Sequence, residues 1–527
     1  MLRSTSPSSD TTEKMKIRHL LQGREEASTA PPTSAFFTNM DSTPAHPPHE
    51  TGCWNSRSFQ LLETHAEDFP TPESLPTSSP EELCRVPSVP HPPDDEELTE
   101  LCNFFLGNLL KFIPIIRTED IGSYGDMARE GQRLLAHSMA YVAAGFVPGC
   151  KTVRARLAPS IFAYLEQCAV EGNEESRWIA LQAVAVLYNW TTPKMHLSFS
   201  DRVVQNSPLT HNVLRATWDK LVLTSTPLEA SGDVTRLLER YPRDSDIHRH
   251  LCVRRYLCWL WMYTTIHYRT WLSDPGNVIN ADPGIYTCKY IFHDYITDHV
   301  IGPIVAQVEL CLIRERLSQA GHRIYSSQSG STSKTAEFRS QQPLAMLKEM
   351  DNAMDSWHRE WSPQWTASRS YEPLEGYYHF TRFCISEQAS RLYQSCSTSN
   401  VSPSAELSLI EISIERLCDL CSVFTNLNPL SSYGLCFVPE DVFALVMYGC
   451  EYVLAAQTTL HDLNLLNTRQ EMSLRAMAEL MVAVGTYDKE WTASQGDTLL
   501  RRLSTRLSSP RDGQPSSASS APLITSD

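Results

Sequence analysis

Positive charge is scarce in this sequence. Its 45 Lys and Arg stand against 61 Asp and Glu, a formal net charge of −16 over 527 residues. A chain of that sign is repelled by phosphate backbones, so as a whole it is a poor nucleic-acid binder, and contact with DNA requires a local basic patch or a partner. The basic residues do not gather into a groove-reading helix. Arg154-Ala155-Arg156 and Arg501-Arg502 are short and read as solvated surface, not as nuclear import signals. Long uninterrupted apolar runs are missing too. The best membrane candidate, Leu251–Leu272, contains Arg254, Arg255, His267 and Arg269, and charges at those depths cost several kcal/mol in lipid. It reads as a buried helix of a soluble body, and no membrane partner is expected. The opening MLRSTSPSSDTTEKMK has no apolar core and carries early acidic residues, so neither a secretory signal nor a mitochondrial transit peptide is expected.

The spacings that mechanism imposes on catalysts are missing as well. No nucleophile elbow, zinc-protease pair, phosphate loop or dinucleotide fingerprint occurs. The nearest phosphate-loop lookalike, Gly330-Ser331-Thr332-Ser333-Lys334, lacks the paired glycines that let backbone N–H groups cradle phosphate. Fifteen cysteines are scattered mostly within apolar patterns, among them Cys102, Cys168, Cys258, Cys311, Cys384 and Cys450. With no export signal expected, they read as free core thiols in a reducing compartment, cytosol or nucleus. The sequons at Asn189 and Asn400 are then idle. One CxxC, Cys418-Asp419-Leu420-Cys421, falls in a helical pattern; two thiolates are half of what structural zinc requires, so core packing is the first reading. His248-Arg249-His250 puts two imidazoles on different faces of any helix, while His293, Asp294 and His299 read as surface or half-buried residues. The one dense acidic cluster, Asp94-Asp95-Glu96-Glu97, sits where a helix cap is expected. No catalytic residue, metal ligand or cofactor is therefore expected, and the chain reads as a non-enzyme.

What remains is helical. Residues 1–93 hold 14 of the 33 prolines and are rich in Ser and Thr; such a stretch buries too little apolar surface to offset its ordering entropy and is expected to be a disordered tail. Within it Ser58–Phe69 mixes apolar and acidic residues, as a transient helix or a short coactivator-binding segment would. From Asp94, which suits a helix N-terminus, Leu98, Leu101, Phe105, Leu109 and Phe112 follow at helical spacing until Pro114. Helices are expected over Gln132–Phe146, Val153–Val170, Arg177–Trp190 with Ser176 as cap, Leu209–Leu223, His248–Leu272 and, as one or two pieces, Tyr286–Leu317. Residues 318–342, with SSQSGSTSKT, read as a surface loop. Pro343 is expected in the first turn of the helix carrying Leu347, Met350, Met354, Trp357 and Trp361. Further helices are expected near 374–396, 405–425, 439–462 and 469–491. Neither sustained period-2 strands nor a repeat of fixed length occurs. The expectation is an all-α, irregular multi-helix domain over 94–500, flanked by disordered tails at 1–93 and 501–527. Two aromatic rows, Trp259, Trp261, Tyr263, Tyr268 and Trp271, then Trp357, Trp361 and Trp365, fit core packing first and the walls of an apolar ligand pocket second.

Taken in order, several of these segments resemble the middle homology domain of fungal zinc-cluster transcription factors. Leu101–Ile116, ending Phe112-Ile113-Pro114-Ile115-Ile116, is similar to the family's opening helix. Trp178–Trp190 resembles the helix built around Gln-Ala and aliphatics. Arg254-Arg255 followed by Trp259 and Trp261 looks like the family's paired arginines and tryptophan. Leu347–Trp361 is similar to the later helix that ends in Trp before Pro, and Glu375-Gly376-Tyr377-Tyr378-His379 to the Tyr-rich start of the next. The resemblance spans about 100–500. It departs at His267-Tyr268, where the family has Asp-Arg, and at Ser273-Asp274-Pro275-Gly276, where it has a Gly-Arg-Pro turn. The family's DNA-binding head uses six closely spaced cysteines, whereas residues 1–93 hold Cys53 and Cys84, and two thiolates cannot bind two zinc ions.

The resemblance implies a transcriptional regulator of a fungal nucleus, with pathway-specific control of a metabolic or biosynthetic gene cluster. DNA would be reached only indirectly, through protein partners that are themselves transcription factors or coactivators, and a small-molecule effector would fit between helices. The alternatives are a non-DNA-binding antagonist or scaffold that pairs with related zinc-cluster factors, and an all-α enzyme or small-molecule-binding protein.

Overall fold

The computed structural model describes residues 93–507, apart from 118, 120, 130, 148, 192–208, 223–226, 242–245, 274–280, 330–335, 368–371, 397–402, 428–433, 460–464 and 486–489. The expected tails at 1–92 and 508–527, the segment Ser58–Phe69, the turn at 274–276 and the lookalike Gly330–Lys334 lie outside the described residues. Among those described, the elements are seventeen α-helices with short 3-10 turns and no strand. The fold is all-α.

In chain order the helices are α1 (Asp95–Asn108), α2 (Tyr124–Arg129), α3 (Arg133–Ala143), α4 (Lys151–Glu171), α5 (Glu174–Asn189) and α6 (His211–Val222). Then come α7 (Pro227–Arg240), α8 (Leu251–Ser273), the one-turn α9 (Pro283–Tyr286) and α10 (Cys288–Ile291), and α11 (Ile301–Ser329). The last are α12 (Ala336–Ala367), α13 (Glu372–Cys396), α14 (Pro403–Thr425), α15 (Glu440–Thr459), α16 (Thr468–Gly485) and α17 (Glu490–Leu507). Packing follows the chain closely. Helices α1, α3, α5 and α6 stack in succession; α8 lies against α7 and α11; α11 to α14 pack as neighbours; α14 leads to α16 and α16 to α17. Helix α15 touches α8, α13 and α14 and joins the later helices to the middle of the chain.

The local reasons are ordinary ones. Asp94 has extended backbone and its Oδ1 accepts the Glu97 N–H at 2.7 Å, so α1 begins with a satisfied donor and three acidic residues at its positive end. Leu98, Leu101, Phe105 and Leu109 are buried from that helix and its exit, while Phe112 is only partly covered. Helix α5 starts earlier than expected. Asn173, not Ser176, is its cap, with Oδ1 accepting the Ser176 N–H at 2.8 Å. Ser176 thus donates to the cap instead of being one.

Three further differences share one cause. Residues 318–329 and 336–342 are helical instead of loop: α11 runs on to Ser329, and α12 begins at Ala336, leaving Pro343 inside the helix and not in its first turn. Helix α7 and helix α17 had no counterpart in the sequence reading, and α17 carries the ordered body past residue 500 to Leu507. In each case small residues line the buried face. Leu317, Gly321 and Ile324 continue the stripe of α11; Ala230, Ser231 and Val234 serve α7; Thr492, Gly496, Leu499 and Leu503 serve α17. Glycine, serine and threonine complete a helical stripe geometrically without adding to its hydrophobic signal.

Candidate functional site

Three helices contribute matching stripes to one cavity of about 260 Å³. Helix α5 gives Glu174, Arg177, Trp178 and Leu181; α6 gives Trp218, Leu221 and Val222; α8 gives Arg255, Cys258 and Trp259. Each set follows the i, i+3, i+4 spacing that puts side chains on one helical face. The indoles of Trp218 and Trp259 meet edge to face at 5.6 Å. Trp178 faces the Arg254 guanidinium, whose carbon lies 5.7 Å from the ring centre. Charged groups stand on the rim. Arg255 is ion-paired to Glu174, whose carboxylate is largely exposed. Arg177 makes no ion pair among the described residues, and its Nε is buried with no hydrogen-bond partner. The one thiol in the lining is that of Cys258, which complete burial pushes up to about 12; at neutral pH it is an inert apolar wall.

Of the first aromatic row, Trp261, Tyr263, Tyr268 and Trp271 are core and only Trp259 lines the cavity. Trp357 and Trp361 of the second row are also core. Trp357 Nε1 donates to the Ala306 carbonyl at 3.1 Å, and Trp361 Nε1 donates to Glu309 at 2.7 Å. Glu309 and Glu360 together hold Lys289 at 2.8 and 2.7 Å. The side chain of Trp365 lies outside the described residues.

A second polar assembly is buried between α8, α11, α13 and α15. Arg269 Nε donates to Asp441 at 3.2 Å and its Nη2 to the Asn189 carbonyl at 3.0 Å, while the guanidinium lies over the Tyr188 ring at 4.5 Å. Arg314 is fully buried and makes no ion pair among the described residues. Its Nη2 contacts His267 Nδ1 and Cys311 Sγ, each at 3.2 Å, and its plane covers Tyr268 at 3.7 Å. Burial, then the Arg314 charge, holds His267 well below the usual imidazole range. The ring is therefore neutral, and its Nδ1 accepts from the guanidinium. His267-Tyr268, the pair that departs from the family pattern, is packed around this arginine.

Other residues singled out from the sequence are dispersed. Cys421 is buried and hydrogen-bonded to Cys450 across α14 and α15, while Cys418 contacts Ser473. These contacts are thiol to thiol and thiol to hydroxyl. His248 is buried on the turn before α8, 6.5 Å from His299, while His250 stacks on Tyr241 at 6.4 Å. His293 pairs with Asp294 at the surface. Arg154 lies over Tyr141, Arg156 pairs with Glu97 at 2.8 Å, and Arg502 pairs with Glu451 at 2.7 Å. Among the described residues no three His, Cys, Asp or Glu side chains gather as a metal site, and no helix is long and apolar enough to cross a membrane.

The sequence reading did not single out Trp218, Asp441 or Arg314. Arg314 had a signal: it interrupts Leu310-Cys311-Leu312-Ile313 and shares a face with Leu310 and Leu317, so a helix there must bury it. Trp218 and Asp441 had none, since what they meet is remote in the chain.

The segments that carry the resemblance touch one another. Phe105 and Phe112 of the first meet Trp190 of the second edge to face at 5.7 and 6.3 Å. The second meets the paired arginines through Trp178 with Arg254. Tyr268, further along that arginine-bearing helix, lies 4.3 Å from Tyr377, and Trp357 stacks on Tyr378 at 5.6 Å with 12° between the planes. No family model matches the chain, and neither a curated protein nor a solved structure matches it.

Proposed function

We propose that this chain is a transcriptional regulator acting in the nucleus through protein partners, with pathway-specific control of a fungal metabolic or biosynthetic gene cluster as its task. The observation that carries the reading is the run of contacts among the five segments that resemble the middle homology domain. The first meets the second through Phe105 and Phe112 with Trp190, the second meets the third through Trp178 with Arg254, and the fourth meets the fifth through Trp357 with Tyr378.

The mode of action is contact. The helical body binds related transcription factors or coactivators, and DNA is reached through them. The net charge of −16 supports an indirect route, because phosphate repels such a surface. The cavity between α5, α6 and α8 suits a small effector. The non-enzyme reading rests on the lining, whose thiol is buried and protonated and whose one carboxylate, Glu174, is paired with Arg255.

Deletion of the gene followed by transcript profiling tests the proposal. A contiguous set of genes changing together is expected. Unchanged transcripts with an accumulating substrate would instead assign the chain to an enzyme class.

A further inference from the structure

We infer that the cavity between α5, α6 and α8 binds a small, flat, fused-ring aromatic carboxylate, with Arg177 as the anion's partner. Three observations converge on this ligand class. The walls are indoles and aliphatics: Trp178, Trp218 and Trp259 with Leu181, Leu221 and Val222. Aromatic rings prefer to meet other rings in offset or edge-on contact, which suits a planar guest. The cavity volume of about 260 Å³ lies just below the usual range of ligand pockets, which suits a guest of about two fused rings.

The third observation is charge. The chain is strongly acidic, yet this mouth is positive. Arg177 and Arg255 face it with Glu174 as the one acid in the lining, and Arg254 stands behind Trp178. Arg255 is already neutralised by Glu174. Arg177 is not: it lines the cavity and makes no ion pair among the described residues. A guanidinium presents donors in a fork that matches a carboxylate. A cation beside an indole-lined cavity thus selects one apolar ring system bearing one negative charge. This inference supplies the chemistry of the effector in the preceding proposal, but binding to purified protein is independent of any transcriptional consequence.

Calorimetric titration of the full chain with 2-naphthoate, against the neutral 2-naphthalenemethanol, tests it. The carboxylate is expected to bind about tenfold more tightly than the alcohol, the ratio one charge-assisted hydrogen bond supplies. Arg177→Gln should abolish that ratio while leaving alcohol binding unchanged. Glu174→Gln, at an exposed position, should tighten naphthoate a few-fold by releasing Arg255. Trp259→Leu should weaken both probes. Equal affinity for the two probes, an unaltered ratio in Arg177→Gln, or no binding by a normally folded chain would overturn the inference. Deletion of the gene leaving transcripts unchanged would sink the regulatory proposal and leave this site standing.

Discussion

At the scale of single residues, the two buried arginines are in opposite situations. Arg269 is matched: Asp441 supplies a carboxylate and Asn189 a carbonyl. Arg314 has ring faces, a neutral imidazole and a thiol. Taking an ion out of water costs several kcal/mol, and a desolvated cation–π contact returns about 2 kcal/mol of that. Arg314 is therefore a net liability to the fold, whereas Asp441 is needed by its partner. Replacing Arg314 with Met, which keeps the volume, should leave the urea midpoint unchanged or raise it. Asp441→Ala should lower stability by about 3 kcal/mol, because it leaves a buried guanidinium without its counter-charge. Urea unfolding of both variants measures the difference. An Arg314→Met variant as damaged as Asp441→Ala would mean that the cation is held by contacts worth more than its desolvation.

At the scale of elements, legibility tracked the chemistry of the buried face. Helix α1 announced itself through Leu98, Leu101, Phe105 and Leu109, and its cap was visible in Asp94. Helix α8 was legible for the same reason, despite four basic or imidazole side chains along it. Helix α17 was not, because Thr492 and Gly496 occupy half of its buried stripe. The glycine there is a packing device. A Cβ at Gly496 would lie 2.7 Å from the Ala478 carbonyl oxygen, and one at Gly485 would lie 2.3 Å from the Ala493 Cβ. Helices α16 and α17 thus touch backbone to side chain, closer than branched residues permit. Gly496→Ala should destabilise by about 1–3 kcal/mol, since the obstructing atom belongs to the backbone and cannot rotate away. Gly107→Ala on α1, where nothing lies within 4 Å, should stabilise by about 0.5–1 kcal/mol through the unfolded chain. Melting temperatures of the two variants should move in opposite directions; a shared direction would refute the packing account of α17.

At the scale of the whole molecule, the sequence reached the class of fold and part of the site. Trp259 stands in an aromatic row at helical spacing, for which pocket walls are the second use, while Arg255 stands out only as a charge in an apolar run and as one of the paired arginines of the resemblance. Their partners were not foreseen. Trp218 and Glu174 join them across 41 and 81 residues of chain, respectively, and no local pattern encodes contacts of that reach. Arg314 was legible as an oddity within an apolar run, but its unpaired state follows only from what surrounds it. The functional proposal depends on a body that works by contact, with DNA reached through a partner. Recovery of the tagged full chain on chromatin, from cells with and without a co-purifying zinc-cluster factor, tests that claim most directly. The account predicts promoter recovery that disappears when the partner is removed. Recovery undiminished by loss of every such partner would contradict it.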